Sequence, residues 1–414
     1  MINVAILAAS RGVSLVTTFR KFLQHNGGGS VYALDIEANR AALFFADYAI
    51  ISPPADESGY VDFLVNFCRE NQINLLLSCR DEDLKILSEH REKIEASGCR
   101  VMVASEKTIE VCSNKISFYR FCLQRGFDTP RVFSPQEKKK FPLFVKPVEG
   151  KGSRDNFIVR NQKFLEAILN NYSHEFVIQE LIEQKEYTVD LFSDFDSNVI
   201  SVVPRERILT VAGESYHGKT FNNSAIINES IKLANALKLI GHNTIQCFYN
   251  GSTVKFIEVN PRFGGGANLG IASGHNTPGY LVKLMQGEKL ESQLGNFQNE
   301  CEMLRYASDL FLNTASLKNK IFCIDIDGTI CTEGEEYHLA KPIMKVINKI
   351  NKLYESGNKI IFFTSRGVAS GKDWSLLTKK QLAEWGVKYH ELYFKKPYAH
   401  YYIDNKAADI LYWV

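Results

Sequence analysis

The chain has 414 residues, too many for one ordinary hydrophobic core, so roughly two to four structural units are expected. A composition of 45% hydrophobic and 23% charged residues excludes a disordered chain, and a formal net charge of +2 gives no bulk reason to expect nucleic acid or an anionic membrane as partner. The nine cysteines show no CxxC spacing, and no apolar run approaches about 18 residues, which argues for buried thiols in a reducing compartment and against disulfides, zinc or a membrane span. With no basic leader in MINVAILAASRG, a cytoplasmic protein is expected.

Strand and helix patterns alternate at the start. NVAILAA reads as a strand, a helix runs to about Gln24, and VYALDI is a second strand ending in Asp35. YVDFLVNFCREN follows as a helix, INLLLS as a strand, EDLKILSEHREKIEAS as a helix and RVMVA as a strand. The alternation predicts an open parallel α/β domain over residues 1–105. Its first turn, Ala8-Ala9-Ser10-Arg11-Gly12, is not a GxGxxG, so no dinucleotide site is expected there.

From Ser113 the pattern changes. SNKISFYRFCLQRGFDTP predicts a capped helix closing at Gly126. FPLFVKP and NFIVR read as strands flanking a Gly-containing loop, and EFVIQELIEQKEYTVDLF as two strands joined at a polar bend. A helix is predicted around 229–240, and then TIQCFYNGSTVKFIEVNPR as a hairpin turning at Asn250-Gly251.

Two clusters in this region suggest phosphate chemistry. Lys146 ends a strand and precedes a loop with Gly150, Gly152 and Ser153, where glycines let backbone N–H groups converge on phosphate oxygens. Taken alone, that is equally a Gly-rich hairpin. Further on, Glu258 and Asn260 alternate on one strand and so share a face, where a carboxylate and an amide oxygen suit Mg²⁺. Arg262 follows on the same face, suited to a phosphoryl group or anionic intermediate, and Gln246 on the partner strand can reach the same metal or nucleotide. Gly264-Gly265-Gly266 then implies close backbone approach to something.

In order and spacing these residues resemble the ATP-grasp superfamily, particularly its carboxylate–amine ligases and the carbamoyl-phosphate synthetase large subunit, over about residues 1–290. The resemblance implies that Lys115 and Lys146 bind phosphates and that Gly150 to Ser153 form the mobile loop over the triphosphate. It makes Glu180, Leu181 and Ile182 the adenine-reading hinge and Glu186 the ribose acid. Gln246, Glu258 and Asn260 become the Mg²⁺ ligands, and Arg262 sits beside the transferred phosphate. ATP and Mg²⁺, with Mn²⁺ as an admissible substitute, are the implied cofactors; a carboxylate and an amine are the implied substrates. Arg205, Arg207, Glu214 and His217 stand where such enzymes often bind the acceptor, and are equally readable as surface charge.

The tail carries a second cluster. IFCIDIDGT reads as a strand ending in Asp325, a carboxylate able to attack phosphorus, with Asp327 placed as general acid and base. Paired acids at that spacing call for Mg²⁺ between them. KIIFFTSRG is a buried strand ending at Thr364, Lys396 in FKKP can neutralise a phosphate, and HYYIDNKAAD ends a further strand at Asp404, with Asp409 beyond. The order resembles the haloacid dehalogenase-like phosphatases, closest to small capless members found with surface-polysaccharide genes. The resemblance implies that Asp325 and Asp404 hold Mg²⁺ with Asp409 in support; Asn405 stands where many relatives have a second Asp.

The expected architecture is therefore α/β throughout: a Rossmann-like domain (1–105) preceding an α+β ATP-grasp domain (106–300), then a small capless Rossmann-like haloacid dehalogenase-like domain (316–414). A bifunctional enzyme is expected, joining an amine to a carboxylate and removing phosphate from a metabolite of the same pathway. Three alternatives stand beside it: an ATP-grasp kinase, a tail that is a non-catalytic interaction module, and an ATP-dependent binding or regulatory protein without ligase turnover. A homodimer is compatible with it.

Overall fold

The computed structural model describes residues 1–10, 12–134, 137–150, 152, 154–310, 318–334 and 336–396. The first sheet is parallel: β1 (Val4–Leu7), β2 (Val31–Asp35), β3 (Tyr48–Ile51), β4 (Leu75–Ser78) and β5 (Arg100–Val101) lie in the order β3-β2-β1-β4-β5. β1, β2 and β4 are buried along their whole length, which is why they read as apolar runs without alternation. The order reverses between β1 and β4, and the carboxyl ends of those two strands open toward the rest of the chain.

Two departures from expectation lie here. The predicted helix over 82–97 is two helices, Asp81–Glu89 and Arg91–Glu95, meeting at His90. The helix Ala41–Phe45 and strand β3 were not anticipated; the helix is only five residues long, and β3 is largely exposed.

A capped helix, Lys115–Arg125, follows as predicted. Asn114 Oδ1 accepts from the backbone N–H of Ile116 and Ser117 at 3.0 and 2.9 Å, and Gly126 closes the helix at φ 75°. Two antiparallel sheets then face each other. The smaller runs β6 (Val132–Phe133), β9 (Phe176–Glu180), β7 (Leu143–Pro147), β8 (Phe157–Val159) in spatial order. The larger is ordered β14-β13-β10-β11-β12-β15, from β10 (Lys185–Ser193), β11 (Val199–Val211), β12 (Glu214–Thr220), β13 (Gly241–Tyr249), β14 (Val254–Asn260) and β15 (Glu302–Leu304). The two strands predicted on either side of the polar bend near Glu183 thus belong to different sheets, and the bend is the crossing between them. β11, β12 and β15 were not anticipated as strands.

One face of the large sheet packs on the helix Ser224–Leu237 through Val189, Leu191, Ile226, Leu233 and Ile245. The helix Thr277–Met285 and Phe263 share a core with the first domain's helix Val13–His25, joining Tyr280 and Leu281 to Val16 and Phe19. This shared core fixes the carboxyl ends of β1 and β4 against the far end of β14.

The tail begins with a parallel sheet, β16 (Ile321–Ile324), β17 (Lys359–Phe363) and β18 (Glu391–Tyr393), with helices Met344–Glu355 and Ser375–Glu384. The strand predicted to end at Asp404 lies outside the described residues. Among the described residues no helix is long and apolar enough to cross a membrane.

Candidate functional site

The face of the large sheet opposite its helix is polar, and the pairing registers decide what it holds. Gln246 lies opposite Glu258, Thr244 opposite Asn260, and Thr188 opposite both Gln246 and Arg205. Because opposite residues share a face, Glu186, Gln246, Glu258, Asn260 and Arg207 line one surface. Asn260 Nδ2 donates to Glu258 Oε1 at 3.1 Å, joining two of the predicted metal ligands directly.

The lysines come from across the cleft. Lys146, near the end of β7, is 5% exposed. Burial pushes its ammonium down to about 8, against the opposing pull of Glu258. Lys115 is also lowered by burial, with Glu258 and Asp81 favouring its charged form. Its Nζ donates to the Gly150 carbonyl at 3.0 Å, tying the helix that carries it to the glycine loop. Burial raises the Glu258 carboxyl, but Lys146, Lys115 and the Asn260 hydrogen bond outweigh it and leave the group below its ordinary range. These mutual effects mean that the two lysines and Glu258 occupy one cleft.

The glycine loop closes over that cleft. Gly150 and Gly152 have φ of 144° and 67°, in the region that favours glycine. A Cβ on Gly152 would stand 3.6 Å from the Ala212 carbonyl, so the loop reaches the turn between β11 and β12. Ser153 lies outside the described residues. At the cleft's other edge the Glu180 carboxylate accepts from Arg131 N–H at 3.0 Å and Lys255 Nζ at 2.8 Å. Its side chain therefore anchors the strand end, leaving the backbone of half-buried Leu181 and Ile182 as the crossing segment. Glu186 is 3.3 Å from Arg207, and burial raises its carboxyl despite that partner.

Arg262 lies beyond Asn260. Its Nη1 donates to the Phe263 carbonyl at 3.1 Å and its Nη2 to Asp81 Oδ2 at 2.6 Å. Asp81 comes from the first domain, at the carboxyl end of β4, and sequence reasoning did not single it out: acids are ordinary in a helix's first turn.

One reading of the sequence needs correction. Arg205 is not free to grip a substrate. It is 1% exposed and pairs with fully buried Asp190 through Nε at 2.7 Å and Nη2 at 2.8 Å. The glycine run serves that pair and the sheet: a Cβ on Gly266 would lie 2.5 Å from Arg205 Nη1, and one on Gly264 2.7 Å from Thr244 Oγ1. Beside them His242 and His275 are fully buried, and burial lowers them to about 3 and about 4, so both rings are neutral. Arg207 binds the Gly213 carbonyl at 2.8 Å, Glu214 pairs with Arg305, and His217 lies 2.6 Å from Glu302. These three residues brace the β11–β12 hairpin, while Arg205 ties β11 to β10.

In the tail, Asp325, Asp327, Thr364 and Lys396 meet at the carboxyl ends of β16 and β17. Asp325 pairs with Lys396, and the Thr364 and Lys396 backbones are linked at 3.3 Å. Asp327 receives a fork from Arg366, Nε to Oδ2 at 2.8 Å and Nη2 to Oδ1 at 2.6 Å. Arg366 is 2% exposed, also donates to Thr378 Oγ1 and Gln381 Oε1, and lies over the Tyr337 ring at 4.8 Å. Sequence reasoning missed it, although SRG follows Thr364 directly. Asp404 and Asp409 lie outside the described residues.

Comparison with known proteins agrees with the fold of the first three-quarters. Residues 112–266 match the family described as ATP-grasp domain, and residues 4–102 the one described as PylC-like, N-terminal domain. The carbamoyl phosphate synthase large chain of Clostridium acetobutylicum is 25% identical over 193 residues, 41% of this chain and 18% of that protein. The chain thus spans under a fifth of that curated relative's length.

Solved structures share the fold. The biotin carboxylase domain of Hydrogenobacter thermophilus 2-oxoglutarate carboxylase, a complex with MgADP, ADP and bicarbonate, superposes with TM-score 0.57 at 16% identity over 72% of this chain and 73% of that one. An L-amino acid ligase from Bacillus licheniformis gives 0.56 at 19% over 70% and 75%. N5-carboxyaminoimidazole ribonucleotide synthetase from Thermotoga maritima gives 0.53 at 20% over 70% and 77%. The fold of the first two domains is that of ATP-grasp proteins.

Proposed function

We propose that the chain is an ATP-dependent carboxylate–amine ligase whose tail is a Mg²⁺-dependent phosphomonoesterase of the haloacid dehalogenase type. The single observation carrying the ligase reading is the convergence of Lys115, Lys146, Glu258, Asn260 and Arg262 on one cleft beneath the glycine loop. On this reading the domains are 1–105, 106–300 and 316–414. Mg-dependent nucleotide binding fits the relatives that hold MgADP. One carboxylate and two amides offer hard oxygen donors, so Gln246, Glu258 and Asn260 suit Mg²⁺. The ion, when bound, supplies charge neutralisation at the phosphates.

The chain's own groups supply the rest. Glu180, Leu181 and Ile182 hold the base, Glu186 the ribose, and Gly150, Gly152 and Ser153 cover the phosphates. Lys115 and Lys146 neutralise phosphate charge, and both gain when a triphosphate relieves a buried, unbalanced ammonium. A carboxylate oxygen beside Arg262 attacks the γ-phosphorus; the bond to ADP breaks and an acyl phosphate forms. An amine nitrogen then attacks the acyl carbon, phosphate leaves, and the amine proton is lost to solvent.

In the tail, Asp325 attacks the phosphorus of a phosphomonoester, the bond to the alcohol breaks and Asp327 protonates the leaving oxygen. Water, deprotonated by Asp327, then attacks the phosphorus, releasing phosphate and freeing Asp325, while Thr364 and Lys396 hold phosphate oxygens. Mg²⁺ would rest on Asp325 and Asp327 with Asp404 and Asp409. A second reading, a non-catalytic interaction module, is favoured by one observation: both acids already have cationic partners, Lys396 and Arg366.

The deciding experiment measures ADP release by the full chain with Mg-ATP against a panel of carboxylates, with and without amines, while amide is quantified. One amide per ADP is expected. ADP without amide identifies a kinase, and no carboxylate-stimulated ADP removes the ligase reading. For the tail, Mg²⁺-dependent hydrolysis of p-nitrophenyl phosphate, lost in Asp327→Asn, is expected; its absence in the wild type leaves the interaction module.

A further inference from the structure

Arg262 is held by a residue from another domain. Asp81 follows β4, beside β1, where the parallel sheet reverses its order and open α/β sheets receive ligands. From there its carboxylate reaches Arg262 Nη2 at 2.6 Å, the two side chains being 29% and 15% exposed. Asp81 also favours the charged form of Lys115. A carboxylate thus already acts on both Lys115, one of the two predicted phosphate lysines, and the arginine beyond the metal ligands.

The bond is incomplete. A guanidinium offers a carboxylate two parallel donors, and Nε with Nη2 is such a pair. Asp81 takes only Nη2. Arg262 Nε is shielded from solvent and has no hydrogen-bond partner among the described residues. Nη1 is occupied by the Phe263 carbonyl. A small free carboxylate could take both Nε and Nη2, an arrangement Asp81 does not achieve from its place on the helix.

We propose that Asp81 is a built-in competitor: it fills the anion seat of Arg262 in the free protein, and the carboxylate substrate, bicarbonate or an organic acid, binds by displacing it. This rests on the ligase reading for the identity of the incoming anion. The Asp81–Arg262 contact between the first domain and the segment after β14 then breaks only when the correct anion arrives, which links occupancy of the cleft to the first domain.

The test titrates the full chain, saturated with MgADP, with ¹³C-bicarbonate and ¹³C-acetate and reads line broadening. Asp81→Asn and Asp81→Ser are expected to tighten the apparent dissociation constant at least tenfold for one of the two anions. In an Arg262→Lys background the gain is expected to vanish. Unchanged or weaker binding in both Asp81 variants overturns the proposal. So does a gain that survives in Arg262→Lys, since it then reflects only general charge, and so does absence of binding by every variant. MgADP binding is followed separately by calorimetry: if Lys146→Met leaves it unaltered, the ligase reading fails instead.

Discussion

The two clusters arrange cations against carboxylates in opposite ways. In the tail each acid is matched to one cation: Asp325 to Lys396, Asp327 to the Arg366 fork. Both pairs are closed without any ligand. In the larger cleft the cations are left in tension. Lys146 is buried enough to sit at about 8, Lys115 is lowered too, and Glu258 serves both. Such a site is relieved by an incoming polyanion, whereas any ligand of the tail acids must first open one of these pairs. The difference predicts that a polyanion meets Lys146 and Lys115 without breaking a pair, whereas Arg262 and the tail acids take a ligand only in exchange for an existing contact.

The largest test of that contrast is Lys146→Met. Loss of a preorganised charge at the phosphates is expected to reduce Mg-ATP-dependent ADP release by about 10²–10³-fold. Hydrolysis of p-nitrophenyl phosphate, measured on the same preparation, is expected to stay unchanged. If both fall together, the clusters are not independent and the contrast collapses.

Arg366→Gln probes the closed side. It leaves Asp327 without its fork and Thr378 and Gln381 with lost partners in a buried setting. A local destabilisation of about 3 kcal/mol is expected, read as faster hydrogen exchange over Ser375–Glu384 with the β10–β14 sheet unaffected. Unaltered exchange in that helix means the Arg366 network is not what holds the tail closed.

Smaller effects separate packing from function in the glycine run. Gly266→Ala drives a Cβ to 2.5 Å from Arg205 Nη1 and so strains the buried Asp190 pair; about 2 kcal/mol of lost stability is expected. Gly265→Ala meets Glu214 only at 3.5 Å and should change stability by less than about 0.5 kcal/mol. Denaturant midpoints compare the two. Equal losses refute the packing explanation.

The same glycines mark the limit of what the sequence discloses. That GGG meant close approach was legible; that the approaching group is Arg205 was not, since Arg205 on β11 and Gly266 beyond β14 lie far apart in sequence and meet only in the folded sheet. Glu258 and Asn260 were legible because a strand's two-residue period is local. That Gln246 sits on the partner strand was legible; its pairing with Glu258 was not, because a turn at Asn250-Gly251 alone would set it opposite Lys255, and the longer turn with a bulge after Gln246 shifts the register. Asp81 and Arg366 were not, because an ion pair spanning 181 residues, or a buried arginine's partner 39 residues away, leaves no periodic trace. Short exposed β3, the five-residue helix before it, and β15 were missed for a related reason: their stability comes from neighbours, not from local pattern.

The smallest effect sharpens the contrast most cleanly, because it follows from one proton. Free Lys146 titrates at about 8. A bound phosphate favours the ammonium and raises that value, so binding takes up a proton once the solution is more alkaline than about 8. MgADP affinity is therefore expected to be flat below pH 8 and to fall about tenfold per unit above it, until the bound-state value is reached. Stability of the free protein runs the other way. The unfolded chain keeps the lysine proton to a higher pH than the fold does, so between about 8 and 10.4 it binds more protons and stability rises with pH. Calorimetry at pH 7 and 9.5 and thermal melts over the same range check both signs. In Lys146→Arg, whose charge does not titrate there, the affinity slope is expected to shrink to whatever Lys115 contributes. A slope equal to the wild type's would mean the proton is not on Lys146 and that the cleft is not under the electrostatic tension described.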